Sequence, residues 1–435
     1  MIVDLTVSNF RSFQEEQMLS LNVESARQRH ASNFSLVEDG KLGVLRSAAI
    51  LGANASGKSN LLTSIMALRW LVVSSGGRRE GEAILPYEPF RLSADGLTQP
   101  VNFEIEFIVP SGVRYRYEIS FSKNRVLRER LYSFARKIRA LIFERSEEDT
   151  WENVKFGGTY KGGTRKFSFF PNAAYLSRAG NDPSSPEFIR EIYRYFRNIR
   201  HVSAGNNFTS LKALKSPAML SAVSDLICLA DTGVSKLTIE ENKSAADLKL
   251  PDDMPEEVKS AIIAHNILSA KYWMKSQSGE LVSFDDDEIS DGTTRLQNIL
   301  PTIINAFHTG GCITFDEMDA HFHTDIVELI LRLFNDEDIN SKGAQIIFTT
   351  HDTNILNSNL MRRDQIWFVS KVDGSSSLRS LDEYDRNFVR HDSPFESFYR
   401  DGRLGALPKI SFGRIKNVII EALAHSLVEG SELDA

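Results

Sequence analysis

Cysteine is scarce in this chain. Only Cys228 and Cys312 occur in 435 residues, far apart and without metal-ligand spacing. That excludes a disulfide framework and a cysteine-bound metal site, and it fits a reducing cytoplasm. No apolar run approaches the length of a membrane span, and the N-terminus lacks a signal-peptide pattern, so a cytoplasmic location is expected. Basic residues are not in excess. Lys and Arg number 51 against 58 Asp and Glu, a net charge of −7, so no global nucleic-acid signature is present and only a local basic face remains open. Internal repeats, low-complexity tracts and sustained heptads are also missing, so no extended coiled coil is expected. What remains is ordinary globular composition, 42% hydrophobic and 25% charged, over a length that suggests two or three domains.

The most informative residues are Gly52-Ala53-Asn54-Ala55-Ser56-Gly57-Lys58-Ser59, which fit the phosphate-binding pattern Gly, any four, Gly-Lys-Ser. Such a loop points backbone N–H groups inward, and Gly52 and Gly57 allow that path. Lys58 brings charge to the β- and γ-phosphates, and the Ser59 hydroxyl suits Mg²⁺. Asn54, Ala55, Ser56 and Asn60 complete the candidate nucleotide contacts. The apolar run Ser47–Leu51 reads as a buried strand, and Asn60–Leu71 has helical spacing. Strand, Gly-rich loop and helix together aim a helix N-terminus at an anion.

Elsewhere, Met1–Val7 reads as a strand. Asn102–Val109 and Arg114–Phe121 read as a hairpin turning at Pro110-Ser111-Gly112, with two more strands before Pro171. From about Pro186 to Ser276 the pattern is helical, clearest at Phe188–Ile199 and Glu256–Met274. Gln345–Thr350 is a second buried strand, and Ile415–Val428 a final amphipathic helix.

Three later segments belong with the phosphate loop. Cys312–Glu317 is an apolar strand ending in two acids. Asp316 suits the Mg²⁺ shell, and Glu317 beside it can take a proton from attacking water. His351 follows the Gln345–Thr350 strand, where an imidazole can hydrogen-bond the γ-phosphate or the water. Ser290 is a good N-cap for a helix running to about Phe307, whose free N–H groups would face an anion.

In this order the segments resemble the ATP-binding-cassette (ABC) ATPase head, in the RecF/SMC/OLD-like branch. The similarity is greatest to the AAA-type ATP/GTPases of phage-defence systems (RloA, AbiL and PtuA types). Asn9-Phe-Arg-Ser-Phe13, Tyr87-Glu-Pro-Phe-Arg91, Ser290-Asp-Gly-Thr293, Phe315–Asp319 and Arg403–Pro408 carry it.

The resemblance implies an α/β P-loop head with an antiparallel β lobe. Residues 1–180 would form the first lobe, 181–275 a helical insertion, 276–375 the second lobe and 376–435 a closing segment. It implies that Ser290, Gly292 and Thr293 stand for the signature, Met318–His321 for the D-loop and His351 for the switch histidine. Asn9, Arg11 and Ser12 would lie at the base or ribose side. ATP and Mg²⁺ are the implied cofactors, with Lys58, Glu317 and His351 catalytic and Ser59 and Asp316 on the metal. Since the signature of one subunit meets the γ-phosphate held by the other, a homodimer closed by ATP is expected.

Two departures qualify the match. SMC-like heads carry a Gln that touches Mg²⁺ and the water; the equivalent here is Tyr175-Leu176-Ser177-Arg178, where Ser177, a water or Arg178 would substitute. The signature also lacks a paired Gly. About 85 residues follow His351, fewer than a TOPRIM nuclease beside a closing segment needs, so a separate nuclease or toxin is the expected effector. The basic stretch Arg114–Arg145, with Arg125, Arg128, Arg130, Arg136, Lys137 and Arg139, offers a nucleic-acid grip. The favoured reading is a solvated strand face balanced by Glu118, Glu129 and Glu144. The alternative function is a RecF/SMC-like repair ATPase that binds DNA directly.

Overall fold

Alternating apolar and polar positions build an antiparallel sheet in the first lobe. Ile2–Ser8 lies between Gln17–Ser20 and Val101–Ile108. The sheet continues through Arg114–Phe121, Val126–Ala135 and Ile138–Ser146 to the two-residue Lys155–Phe156. The hairpin at Pro110–Gly112 forms as read, and three strands rather than two follow it. The computed structural model describes residues 1–23, 30–135, 138–203, 211–230, 232–241, 268–320, 322–385, 389–390, 393–405 and 411–432.

A second sheet runs in the order Arg200–Val202, Cys312–Phe315, Gln345–Thr349, Ser47–Leu51, Ile366–Val372, Ser375–Ser380. Its first five strands are parallel and the last is antiparallel. Its central strands are apolar throughout because both faces are covered. Ala48 and Ile50 enter one core with Leu61, Leu62, Ile65 and Leu68 of the helix Lys58–Val73. Ala49 and Leu51 enter the other, with Leu296, Ile299 and Ile303 of the helix Asp291–Thr309 and with Val327 and Leu331 of Thr324–Asn335. The two-residue alternation of a strand thus divides the molecule into two cores. It also brings the carboxyl ends of four parallel strands, and the loops after them, to one edge. In open parallel sheets that edge is where ligands bind.

The segment read as helical, 181–275, needs correction. Helices Glu187–Arg197 and Pro217–Leu229 are present, but Arg200–Val202 joins the parallel sheet. Lys236–Glu241, Leu268–Lys275 and Leu281–Phe284 form a small antiparallel sheet of their own. Of the expected helix Glu256–Met274, residues 256–267 lie outside the described residues, and 268–274 are strand. Leu268, Ala270 and Tyr272 are buried at alternate positions, a period of two, and the Trp273 indole donates to Thr238 Oγ1 at 2.9 Å. Aromatic residues on a half-buried pleat outweigh weak helical spacing.

The basic strands are paired within the sheet. Arg116 bridges Glu104 and Glu118, Arg130 meets Glu144, and Arg114 meets Glu106. Glu129 does not balance a solvated face. It is fully buried, accepting from Arg145 Nε at 2.8 Å, Tyr117 OH at 2.9 Å, and the Tyr175 and Leu176 amides at 2.7 and 3.0 Å. A buried carboxylate needs such a complete donor set to offset its desolvation. Arg136 and Lys137 lie outside the described residues. The expected final helix is present as Phe412–Glu432. No described helix is long and apolar enough to cross a membrane.

Candidate functional site

Strand Ser47–Leu51 ends directly at Gly52, and helix Lys58–Val73 begins with Gly57 at φ 116°. A Cβ on Gly57 would lie 2.4 Å from Ser376 Oγ and 2.7 Å from Ser12 Oγ, so the loop packs against strand Ser375–Ser380 through a bare backbone. Ser376 Oγ donates to Ser56 O at 2.5 Å, and its contact with Ser12 Oγ is 2.7 Å. The Lys58 ammonium folds back onto Gly52 O at 2.8 Å and Ala53 O at 3.1 Å. Burial pulls it below the ordinary lysine range, against the opposing pull of Asp316, Glu317 and Asp319. Ser56 Oγ is buried with no hydrogen-bond partner among the described residues. An electropositive helix N-terminus, a buried cation and an unused hydroxyl meet here, a donor set that fits a phosphate chain.

The acids arrive on the neighbouring strands. Asp316 Oδ1 accepts from Thr349 Oγ1 at 2.6 Å and from Ser59 Oγ at 3.0 Å. The Glu317 amide donates back to Thr349 Oγ1 at 2.8 Å, and the Met318 amide to Thr349 O at 2.9 Å. Glu317 is held at φ 53°, a left-handed conformation uncommon for Glu. That turn presents its carboxylate to solvent while Met318 stays buried. The hydroxyl of Ser59 and the carboxylate of Asp316 are hard oxygen donors of the kind that share Mg²⁺ with substrate phosphates. Asn54, Ala55, Ser56, Gly57, Lys58, Ser59, Asn60, Asp316, Glu317, Asp319, His351 and Lys371 all line one cleft. The His351 amide donates to Asp319 Oδ1 at 3.1 Å, which ties the switch position to the D-loop position. His321 lies outside the described residues.

Other expected residues fall elsewhere. Asn9 does not face the cleft. Its amide donates to Gly96 O, Gln99 O and Pro100 O and accepts from the Phe90 amide, so it clamps the Tyr87–Arg91 stretch. Ser12 supports the loop from behind, accepting from Asn60 Nδ2 at 2.7 Å. Arg11 reaches the first turn of the phosphate-loop helix through Asn60 Oδ1 and Thr63 Oγ1, and it pairs with Glu88. Tyr175–Arg178 is not the Gln equivalent. Ser177 Oγ accepts from the Gly76 amide, beyond the C-terminal end of a 16-residue helix whose other end holds the phosphate loop. That helix is about 24 Å long. The backbone beside Asp316 at the carboxyl edge is Val202, whose carbonyl accepts the Asp316 amide at 2.8 Å. Ser290 caps its helix as read, accepting from the Thr293 amide, but Ser290, Gly292 and Thr293 do not line their own chain's cleft.

Sequence reading missed Thr349 and Arg295. The pair Thr349-Thr350 before His351 held the only available signal for the first. Arg295, on the Ser290 helix, is 6% exposed and lies between the rings of Phe315 and Phe322, each 5.3 Å away. Its Nη2 donates to Glu317 O at 3.0 Å, and its Nη1 is buried without a hydrogen-bond partner. Burial lowers its affinity for the proton, and Asp319 and Glu317 raise it. Arg295 is therefore a positioning residue that couples the signature helix to the left-handed turn of Glu317. We predict that Arg295→Met lowers kcat for ATP about 10- to 100-fold, the worth of a charged hydrogen bond, with little change in nucleotide Kd. Arg295→Lys should recover part of the loss. Parallel falls in kcat and affinity would show a general structural defect instead.

Phosphate loop, Asp-Glu strand end, capped signature helix and strand-end histidine, set on a mixed sheet beside an antiparallel lobe, define an ABC-type P-loop ATPase head. The family described as "AAA domain, putative AbiEii toxin, Type IV TA system" matches residues 47–357, well over half of the chain, and the chain belongs to it. Among solved structures, the SMC head domain from Thermotoga maritima is similar at 14% identity and TM-score 0.39, covering 87% of this chain and 98% of that one. An SMC head bound to the C-winged helix domain of ScpA gives 16% and 0.41, covering 87% and 97%. The recombination mediator protein RecF gives 13% and 0.35, covering 87% and 98%. No curated protein matches the chain.

Proposed function

We propose that this chain binds and hydrolyses ATP as the head of a two-fold dimer, and that the dimer controls a separate effector in a prokaryotic anti-phage system. The carrying observation is an incomplete site: Lys58, Ser59, Asp316, Glu317 and His351 share one cleft, while the Ser290–Thr293 helix start lies outside it. A second copy supplies that helix start to the γ-phosphate. Ser59 and Asp316 hold Mg²⁺, which when bound neutralises phosphate charge. Lys58 and the amides of residues 54–60 hold the phosphates, Glu317 accepts the proton of the attacking water, and His351 orients it.

The defence reading draws on the family's description, which names a toxin and a toxin–antitoxin system. Direct DNA binding has less support, because Arg114, Arg116 and Arg130 are paired with glutamates inside the sheet. The test is a phage challenge of a host carrying the chain with its neighbouring genes. Plating efficiency should fall with the wild-type chain and recover with Lys58→Ala, and an effector should co-purify in an ATP-dependent way. Equal plating with and without the chain, together with ATP turnover stimulated by DNA, would replace this reading with the repair alternative.

A further inference from the structure

The C-terminal helix Phe412–Glu432 has an apolar face and no buried position. Residues 411–423 are all exposed, including Phe412 at 77%, Ile415 at 47%, Val418 at 64% and Ile419 at 53%. Spacing of three and four residues puts Phe412, Ile415 and Ile419 on one stripe, with Val418 beside it. A helix with an apolar stripe is held by what the stripe packs against, and none of the described part packs on its own chain.

The charges say what covers it. Arg414 and Lys416 lie in the first turns, where no acidic residue occurs, and no basic residue occurs in the last turn. From Glu421 onward the helix sequence contains Glu421, Glu429 and Glu432 and no Lys or Arg. This polarity opposes the macrodipole, which favours anions at the N-terminus and cations at the C-terminus, so the arrangement disfavours an isolated helix. An antiparallel second copy reverses the sign of every one of these terms. It sets basic ends against acidic ends, and it opposes the two dipoles. A parallel copy would instead set Arg414 and Lys416 against themselves.

We propose that this helix pairs antiparallel with the same helix of a second copy, making a two-fold contact that needs no nucleotide. Such a contact is isologous, so one stripe serves both partners. It is separate from the ATP-closed interface and stands whether or not the heads hydrolyse ATP.

The test is light scattering of the full chain after nucleotide removal, over a dilution series. The expected result is a species of twice the 49.0-kDa chain mass that dissociates on dilution. Ile415→Asp with Ile419→Asp should raise the dimer Kd at least about 100-fold, the effect of burying two charges in an apolar seam, with the thermal melt of the head unchanged. Arg414→Glu, which keeps the stripe, should weaken the dimer about 10-fold, and adding Glu429→Arg and Glu432→Arg to the same chain should restore it. A nucleotide-free monomer at tens of micromolar overturns the proposal, as does a dimer indifferent to both sets of changes.

Discussion

Replacing Glu317 with Gln should leave ATP bound, cut its hydrolysis about 10²- to 10⁴-fold, the usual worth of a general base, and trap closed heads. The geometry makes this substitution unusually clean. The turn at Glu317 is held by its backbone, through the N–H bonded to Thr349 Oγ1 and the carbonyl bonded to Arg295. Neither contact involves the carboxylate, so Gln keeps the turn and loses only the proton acceptor. It also removes a negative charge from a cleft that receives phosphates, which favours binding. The measurement is mass by light scattering in the Ile415→Asp/Ile419→Asp background, so that the C-terminal helix makes no contribution. With ATP the mass should double; without ATP it should not. A monomer at saturating ATP in that background would remove the model in which Ser290 acts across the dimer.

Lys58→Ala should abolish useful nucleotide affinity. Lys58 is buried and is bonded to Gly52 O and Ala53 O, so truncation removes the phosphate's charge partner and the clasp of the loop together. Losing one partner of a desolvated charged pair costs about 2–5 kcal/mol, a Kd increase of roughly 30-fold or more. The fold should survive, because Ser376 and Ser12 hold the loop from behind independently of Lys58. Titration of a fluorescent ATP analogue, with a thermal melt as control, makes the check. Wild-type affinity in this variant would disprove the phosphate-loop assignment.

Much of the centre was legible because its information is local. Gly52–Ser59 set their own turn, Asp316 and Glu317 are adjacent, and Ser290 caps the helix that starts beside it. Their chemistry follows from neighbours one to four residues away. The central strands were legible for the same reason: a short apolar run between turn signals buries both faces wherever it lands.

The rest depended on residues that meet across the chain. Thr349 pins Asp316 and Glu317 from a strand 33 residues away, and Ser376 braces Ser56 from 320 residues away. No local pattern marks a hydroxyl for either task. Asn9 sits in a family phrase, yet its amide is committed to Gly96, Gln99 and Pro100, because the first strand pairs with the one that follows them. Tyr175–Arg178 was misplaced because chain order was taken for spatial order. Glu129, buried under the β lobe, captures the start of that short helix and holds it at the far end of the phosphate-loop helix. Sequence alone thus determined the phosphate loop, its acids and the strands that carry them, since each is specified within a few residues. Tertiary structure decided which side chains orient those acids and which candidates stay outside the cleft, since those choices depend on distances that only the closed sheets set.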